Sequence, residues 1–377
     1  MKPYCTVCLF IALSLLWGCR STTETTVRPL DMAETVTSLS RYIGSIQLIP
    51  LEEEEESMLT YPTKMFVLSD GTLILKDSGG KVQKYDANGK YAGRIGMRGR
   101  GHGEYSKLQD ICIEPETDNI CVLDIGKIVR YDSKLGTFVS SIEIPRHNYD
   151  EFCSDRKGGF WLFAAAPDYD SFTFDEPFMM LHRISSHGGK PVQEMLSRND
   201  YVMNVSLISL SYDGTSLLRP LEGENILYSL GEIAQPIVQF DFGEKKVPSF
   251  FMINDGMPDY PRYLFSDYYK NFLYVHNTER DIFFTVIGPN ATAHNYLLSS
   301  DYSRGITWKD NPDIETPSIV MASTSEFYYV MVFDIKQYMD LADEELSPLD
   351  REIVKTVKDS NCICNSNPLI VKISFIL

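Results

Sequence analysis

Lys81-Val-Gln-Lys-Tyr-Asp-Ala-Asn-Gly-Lys-Tyr91 and Lys127-Ile-Val-Arg-Tyr-Asp-Ser-Lys-Leu-Gly-Thr-Phe138 are two copies of one pattern. Each begins with alternating apolar and polar residues, closes on Tyr-Asp, turns through a segment holding Gly, and resumes on an aromatic residue. Period-two alternation sends successive side chains to opposite faces of a strand, and Asp with Gly supplies the turn, so each copy reads as a β-hairpin. Upstream of each lies the start of another hairpin: Asp70-Gly-Thr-Leu-Ile-Leu75 before the first and Thr117-Asp-Asn-Ile-Cys-Val-Leu-Asp124 before the second. Two hairpins in tandem make a four-stranded antiparallel unit.

Similar turns leading into short apolar strands recur at Gly158-Gly-Phe-Trp-Leu-Phe163, Asp213-Gly-Thr-Ser-Leu-Leu218, Asn271-Phe-Leu-Tyr-Val275 and Glu326-Phe-Tyr-Tyr-Val-Met331, spaced by about 40 to 57 residues. That is close to the period of four-stranded propeller blades. The expected fold is therefore all-β: a six-bladed β-propeller of four-stranded antiparallel blades over residues 41–377. Two stretches fall outside the pattern. Residues 245–268, with Pro248, Pro258 and Pro261, read as a long inter-strand loop. Residues 336–360 read as helical, giving one short helix near the C-terminus. Its start is Ser347 as N-cap with Pro348 at the first helical position, and Leu349, Ile353, Val354 and Val357 form its apolar stripe.

The second unit is preceded by Gly99-Arg-Gly-His-Gly-Glu-Tyr105 and the strand Asp110-Ile-Cys-Ile-Glu114. This order, a Gly-rich segment, an apolar strand, a turn, a strand ending in Asp and an aromatic-Asp hairpin, resembles the NHL repeat. From about Gly44 onward the chain resembles the six-bladed propeller lipoproteins of Bacteroidetes, whose first blade boundary reads similarly to Gly-x-Gly-x-Gly-Glu-Tyr. His102 stands where that family often has Pro. The likeness is strong over residues 44–145 and rests on spacing beyond. It implies ring closure by pairing of the two chain ends, with Ile46–Leu51 and Asn367–Ile376 as the segments concerned.

The N-terminus reads as an address. Lys2 precedes an apolar run from Val7 to Gly18 that is too short to span a bilayer, the layout of a signal peptide over residues 1–18. Leu16-Trp17-Gly18-Cys19 resembles the bacterial lipobox, with Trp17 departing from the small residue usual there; the likeness implies lipid on Cys19 and membrane attachment through it. Residues 19–40 are expected to be a flexible tether. No Asp follows Cys19, and Arg20 to Thr26 holds a single acid, Glu24, so the expected address is the periplasmic side of the outer membrane.

The formal charge is −17, from 35 Lys and Arg against 52 Asp and Glu, with no basic stripe. Binding to a phosphate backbone needs clustered cations, so nucleic acid is not an expected partner. The five consecutive carboxylates Glu52 to Glu56 repel each other and read as a solvated loop. Of eight cysteines, Cys5 and Cys8 leave with the signal and Cys19 takes lipid; the five that remain do not make a complete disulfide framework. Cys112 and Cys121 flank a hairpin turn and either bridge or pack side by side. Cys362-Ile-Cys364 lacks a second ligand pair for zinc.

Few motifs in the sequence carry chemistry. Gly99-x-Gly-x-Gly has the wrong spacing for a dinucleotide fingerprint and leads into a strand, which fits a tight crossing between blades. The six histidines (102, 147, 182, 187, 276 and 294) have no metal-binding spacing, and no Gly-x-Ser-x-Gly elbow occurs. No metal and no cofactor are expected. Asp124 and Asp132 read as strand-end and turn acceptors. Arg98, Arg100, His102, Glu104 and Tyr105 on the Gly-rich crossing are the candidate binding residues. Aromatic-rich loops at Tyr169–Phe178 and Phe250–Tyr269 could stack on sugar rings, although core packing is the plainer account. Two functions remain open: an envelope-anchored binding or scaffold module with a protein or glycan ligand, and a propeller lyase or hydrolase acting on carbohydrate or peptide. Convergence of His, Asp, Glu or Arg side chains at the channel mouth would favour the second.

Overall fold

The computed structural model describes residues 25–165, 178–198, 207–220, 225–248, 260–311, 318–360 and 367–377. Six antiparallel sheets stand around a central channel. Blade 1 spans Pro62 to Arg94, blade 2 Asp110 to Glu143, blade 3 Glu151 to Arg198, blade 4 Ile208 to Asp241 and blade 5 Phe272 to Lys309. Blade 6 combines three strands from Ile319 to Phe375 with an outer strand from the N-terminal part of the chain, Ile43–Pro50.

The sequence pattern follows the radial position of each strand. Inner strands are enclosed on both faces, so Asp110–Glu114 is buried throughout. Outer strands meet solvent on one face, and Phe138–Glu143 alternates half-buried with exposed. The core lies between blades: Phe66, Ile74 and Val82 of blade 1 pack with Ile111, Val122 and Tyr131 of blade 2. All six inner strands start at one face of the ring, here the upper face, and the turns after the first and third strands of each blade lie on the lower face.

The two hairpins that opened the reading form as expected, with Lys81–Tyr85 pairing Tyr91–Arg94 and Lys127–Tyr131 pairing Phe138–Glu143. Closure also forms. Ile43–Pro50 runs antiparallel to Leu369–Phe375, with Leu48 opposite Val371. The apolar stripe of the helix Pro348–Ser360 is buried beside blade 6 with Val320, Tyr328 and Val371. A shorter helix, Ile335–Asp340, precedes it, capped by Asp334, which accepts from the Gln337 amide. Among the described residues no helix is long and apolar enough to cross a membrane.

Three expectations differ from the structure. Part of the span read as flexible tether is a belt. Strand β1 (Thr26–Pro29) adds in parallel to the outer strand of blade 4, and β2 (Glu34–Thr35) does so to blade 5, before β3 (Ile43–Pro50) closes blade 6. Leu30, Val36 and Leu39 are buried along it. Their irregular spacing gives no strand or helix period, which is why the sequence looked like a linker. The second difference is one of phase. Asn271-Phe-Leu-Tyr-Val275, grouped with five other turn-and-strand segments that fall on second strands, falls on the inner strand of blade 5, Phe272–Asn277; the second strand is Asp281–Ile287, reached through a turn in which Thr278 Oγ1 donates to Asp281 Oδ1 at 2.7 Å. That turn contains no Gly, so nothing flagged it. Third, within 245–268 the structure has a helical turn at Tyr260–Leu264, while residues 249–259 lie outside the described residues.

Candidate ligand cleft at the upper face

Where inner strands begin, charged side chains link one blade to the next. Asp110 opens the inner strand of blade 2, and its Oδ2 accepts from Lys64 Nζ of blade 1 at 2.7 Å and from the Phe152 amide of blade 3 at 3.3 Å. Glu151 opens the inner strand of blade 3, and its two oxygens accept from the Leu207 and Ile208 amides of blade 4 at 2.7 and 3.0 Å. Lys64 Nζ also lies 3.8 Å from Glu151 Oε2, and Lys76 Nζ lies 3.5 Å from Asp110 Oδ1. A buried backbone amide at a strand start needs an acceptor, and each carboxylate supplies one to the following blade.

These charges are buried, which fixes their electrostatics. Desolvation alone would lower the Lys64 pKa, but Asp110 and Glu151 outweigh it and the net shift is upward. Burial pushes the Glu151 carboxyl up against the opposing pull of Lys64. The result is a paired network in which ammonium and carboxylates hold each other.

Above this floor opens a cleft of about 530 Å³ between the crossings into blades 1, 2 and 3. Thr63, Lys76, Lys107, Gln109, Asn148 and Asp150 are among its lining residues. The walls are fixed from behind. Gln109 Nε2 donates to the Tyr149 carbonyl at 3.0 Å, joining two crossings. Asp124, at the end of a second strand, accepts from the Ser106 and Lys107 amides at 2.8 and 2.9 Å. Asp77 does the same for blade 1, accepting from the Thr60 and Tyr61 amides at 3.1 and 2.8 Å. Asp124 thus acts as the strand-end acceptor expected of it, and Asp132 caps its turn through the Lys134 and Leu135 amides. A second, smaller cavity of about 50 Å³ is lined by inner-strand residues including Lys64, His276 and Ser323, with Arg219.

The sequence-derived candidates sit on the adjoining crossing and do not line the cleft. Arg98 Nε donates to the Ser106 carbonyl, Glu104 Oε2 accepts from the Gly101 amide at 2.7 Å, and His102 lies edge-on to Phe138. Arg100 is exposed. Tyr105 differs from the expectation of a group projecting to solvent: it is fully buried in the core between blades 1 and 2, and its hydroxyl donates to the Gly80 carbonyl at 3.1 Å. The large apolar ring goes inward, and the extended crossing puts Ser106 and Lys107 outside. Glycine is required at Gly103, which takes φ +76° and where a Cβ would fall 2.7 Å from the Phe138 side chain.

Lys64, Lys76, Lys107, Asp110 and Glu151 were missed because each belongs to a different strand or crossing. The one signal available was a charge at the start of an otherwise apolar strand, as in Asp110-Ile-Cys-Ile and Glu151-Phe-Cys. Cys112 and Cys121 sit directly opposite each other and both are buried free thiols. Cys19, Cys362, Cys364, most of the Tyr169–Phe178 loop and residues 250–259 of the second aromatic loop lie outside the described residues.

A closed ring of six four-stranded blades with a cleft at one channel mouth defines a six-bladed β-propeller. Residues 27–374 match the family model described as "Domain of unknown function (DUF4934)", and the chain belongs to that family. Solved structures share the fold, two of them from Bacteroides. One is a protein from Bacteroides fragilis NCTC 9343 described as a candidate exported protein, with 14% identity and a TM-score of 0.68, covering 93% of this chain and 100% of that one. The other is a DUF4221 family member from Bacteroides vulgatus ATCC 8482, with 12% identity and a TM-score of 0.54, covering 89% and 97%. No curated protein matches the sequence.

Proposed function

We propose that this protein is a non-catalytic binding module, exported and held by lipid on Cys19 at the periplasmic side of the outer membrane, which takes a protein or glycan ligand in the upper-face cleft. One observation carries this reading: Asp110 and Glu151 on the cleft floor are already engaged by Lys64 and by backbone amides, leaving a rigid recess rimmed by Lys107. Both carboxylates tie neighbouring blades together through backbone amides, a structural duty that favours recognition and architecture. The recess volume is in the range of sites that enclose a sugar unit or a few side chains. The lipobox-like Leu16-Trp-Gly-Cys19, the NHL-like second blade and the exported description of the B. fragilis neighbour support the address. Purified protein is tested on a glycan array and against envelope extract, beside Lys107→Glu. Specific capture that Lys107→Glu weakens at least tenfold supports the reading; capture unaffected by Lys107→Glu assigns the ligand to another surface and ends it.

The alternative, a lyase or hydrolase on carbohydrate or peptide, draws on the convergence of Asp110, Glu151 and Lys64 at the channel mouth. Turnover of an envelope polysaccharide or peptide, abolished by Glu151→Gln in a protein that still folds, would replace the binding reading with this one.

A further inference from the structure

The cleft changes character with depth. Thr63, Lys107 and Asn148 are exposed at its rim, Lys76, Gln109 and Asp150 are half-buried on its walls, and Lys64, Asp110 and Glu151 are buried in its floor. Three lysines thus stand against three carboxylates, so the recess is electrically balanced within a chain of formal charge −17. Lys64 Nζ, 2.7 Å from Asp110 and 3.8 Å from Glu151, stands where those two carboxylates would otherwise call for a metal ion. The negative field of the whole chain disfavours an anionic ligand.

Apolar contact is scarce in the cleft. Among the described residues that line it, Leu108 is the one aliphatic side chain, and it packs against the core between blades 1 and 2. The Tyr149 ring is buried and stacked on His147, with centroids 4.8 Å apart. An acyl chain or an apolar peptide side chain therefore finds no wall to bury against. What the cleft offers is hydrogen bonding in both directions. The Lys107 ammonium donates, and the Asp150 carboxylate, which takes the Ala165 amide on Oδ2 at 2.8 Å, has several lone pairs for further donors. The two are close enough to feel each other: burial raises the Asp150 carboxyl, while the Ala165 hydrogen bond, His147 and Lys107 pull it back down. A hydroxyl matches such a pair, because its oxygen accepts from an ammonium while its proton goes to a carboxylate.

We infer that the cleft takes an uncharged, hydroxyl-rich ligand, a hexose unit of a neutral glycan, whose adjacent hydroxyls are shared between Lys107 and Asp150. This rests on the reading of the cleft as the binding site and narrows its ligand from protein or glycan to one class of glycan. Lys107 comes from the crossing into blade 2 and Asp150 from the crossing into blade 3, so the closed ring sets the spacing between them. Adjacent hydroxyls on a pyranose ring present donor and acceptor at a fixed separation, which such a pair reads. Charged groups on the protein side strengthen these hydrogen bonds without asking for net charge on the ligand. Binding then varies little with salt, unlike contact between opposite net charges. Without an aromatic platform under the sugar, selectivity falls on the hydroxyl pattern.

The test follows binding of purified full-length protein, in neutral detergent, to sensor surfaces coated with a β-glucan, an α-mannan, a galactan or the acidic polymer polygalacturonate. The expected result is capture by at least one neutral polymer and none by polygalacturonate, with equal affinity at low and high salt. Lys107→Met and Asp150→Asn should each weaken that capture about tenfold or more. Lys107 is exposed, and Asn at 150 keeps an acceptor for the Ala165 amide, so both variants should retain the fold, which circular dichroism checks. Capture by polygalacturonate alone, or capture lost steeply with salt, assigns an anionic ligand and overturns the inference. Neutral capture that both variants leave intact moves the sugar off the cleft and also overturns it. No neutral capture, with an envelope protein held in a way that Lys107→Glu weakens, overturns this inference while binding at the cleft stands. Insensitivity of every capture to Lys107→Glu ends the cleft reading itself.

Discussion

Lys64 Nζ lies 2.7 Å from Asp110 Oδ2, joining blades 1 and 2 through a pair in which both side chains are almost wholly removed from solvent. Removing one partner of a buried ion pair leaves the other charge unsolvated, at a cost of about 3–5 kcal/mol, whereas replacing both with apolar groups is often neutral. Lys64→Met is therefore expected to lower stability on that order, and Lys64→Met combined with Asp110→Leu to recover part of the loss. Lys76→Met should cost less, because Lys76 is 3.5 Å from Asp110 and more exposed. Chemical denaturation of the four proteins checks this; a Lys64→Met protein as stable as the parent would show that the pair does not staple the blades.

This pair also marks where sequence reading stops. The hairpins at Lys81–Tyr91 and Lys127–Phe138, the closure through Leu48 and Val371, and the stripe Leu349, Ile353, Val354 and Val357 were legible because each is a local period set by burial on one face. Lys64, Asp110 and Glu151 come together only through the ring, across separations that carry no periodic signal. The Gly-rich crossing was correctly located but misjudged in detail: Tyr105 supplies core, and the neighbouring Lys107 supplies surface. The belt escaped notice for a similar reason, since Leu30 docks between blades 4 and 5 while Val36 and Leu39 dock between blades 5 and 6.

Asp310 and Asp350 predict how stability responds to pH. Burial, then the nearby Asp350 charge, pushes the Asp310 carboxyl up to about 8, against an opposing hydrogen bond from Asn295 Nδ2 at 2.6 Å. Burial also raises Asp350, which lies in the first turn of the helix Pro348–Ser360 and accepts from Oγ of the N-cap Ser347 at 2.7 Å. A carboxyl with a raised folded pKa binds its proton more tightly when folded. Its contribution is greatest below the unfolded value of about 3.9 and is lost as pH rises through the folded one. Melting temperature should fall less between pH 5 and pH 8.5 in Asp310→Asn than in the parent. Parallel curves would place the titration elsewhere.

Asn367 locks the closed ring. It is buried, its Nδ2 donates to the Glu52 and Ser57 carbonyls at 2.8 and 3.1 Å, and its Oδ1 accepts from the Leu59 amide at 2.9 Å. Those partners lie more than 300 residues away in sequence, just after β3. Asn367→Leu keeps the bulk but takes the acceptor from the buried Leu59 amide, while the Glu52 and Ser57 carbonyls still accept from the Ser57 and Tyr85 hydroxyls. An unpaired buried amide costs about 1–3 kcal/mol, so a loss in that range is expected. Hydrogen exchange should localise it: amides of Ile43–Pro50 and Leu369–Phe375 should open before those of blades 2 and 3. Uniform loss of protection across all blades would mean that closure is not the weak point.

Asp124 ties the cleft rim to blade 2, and disturbing it should separate binding from folding. Its Oδ1 accepts from Ser106 Oγ at 2.7 Å, from the Lys107 amide at 2.9 Å and from the Ile125 amide at 2.8 Å; Oδ2 accepts from the Ser106 amide at 2.8 Å. Burial opposes its ionisation, but these hydrogen bonds prevail and the pKa is lowered. The stability it contributes is therefore present above the unfolded value of about 3.9 and is lost as pH falls through the folded one. Hydrogen bonds to a charged acceptor are worth about 1.5–3 kcal/mol, so Asp124→Ala should destabilise the protein by an amount in that range. With its anchor gone, the segment Ser106–Lys107 should exchange its amide protons faster than any other part of blade 2. A ligand held by Lys107 should then bind more weakly through a faster off-rate, since a loosened rim must be ordered again at each encounter. If Asp124→Ala frees the Ser106 and Lys107 amides while ligand capture is unchanged, the rim of blade 2 takes no part in recognition.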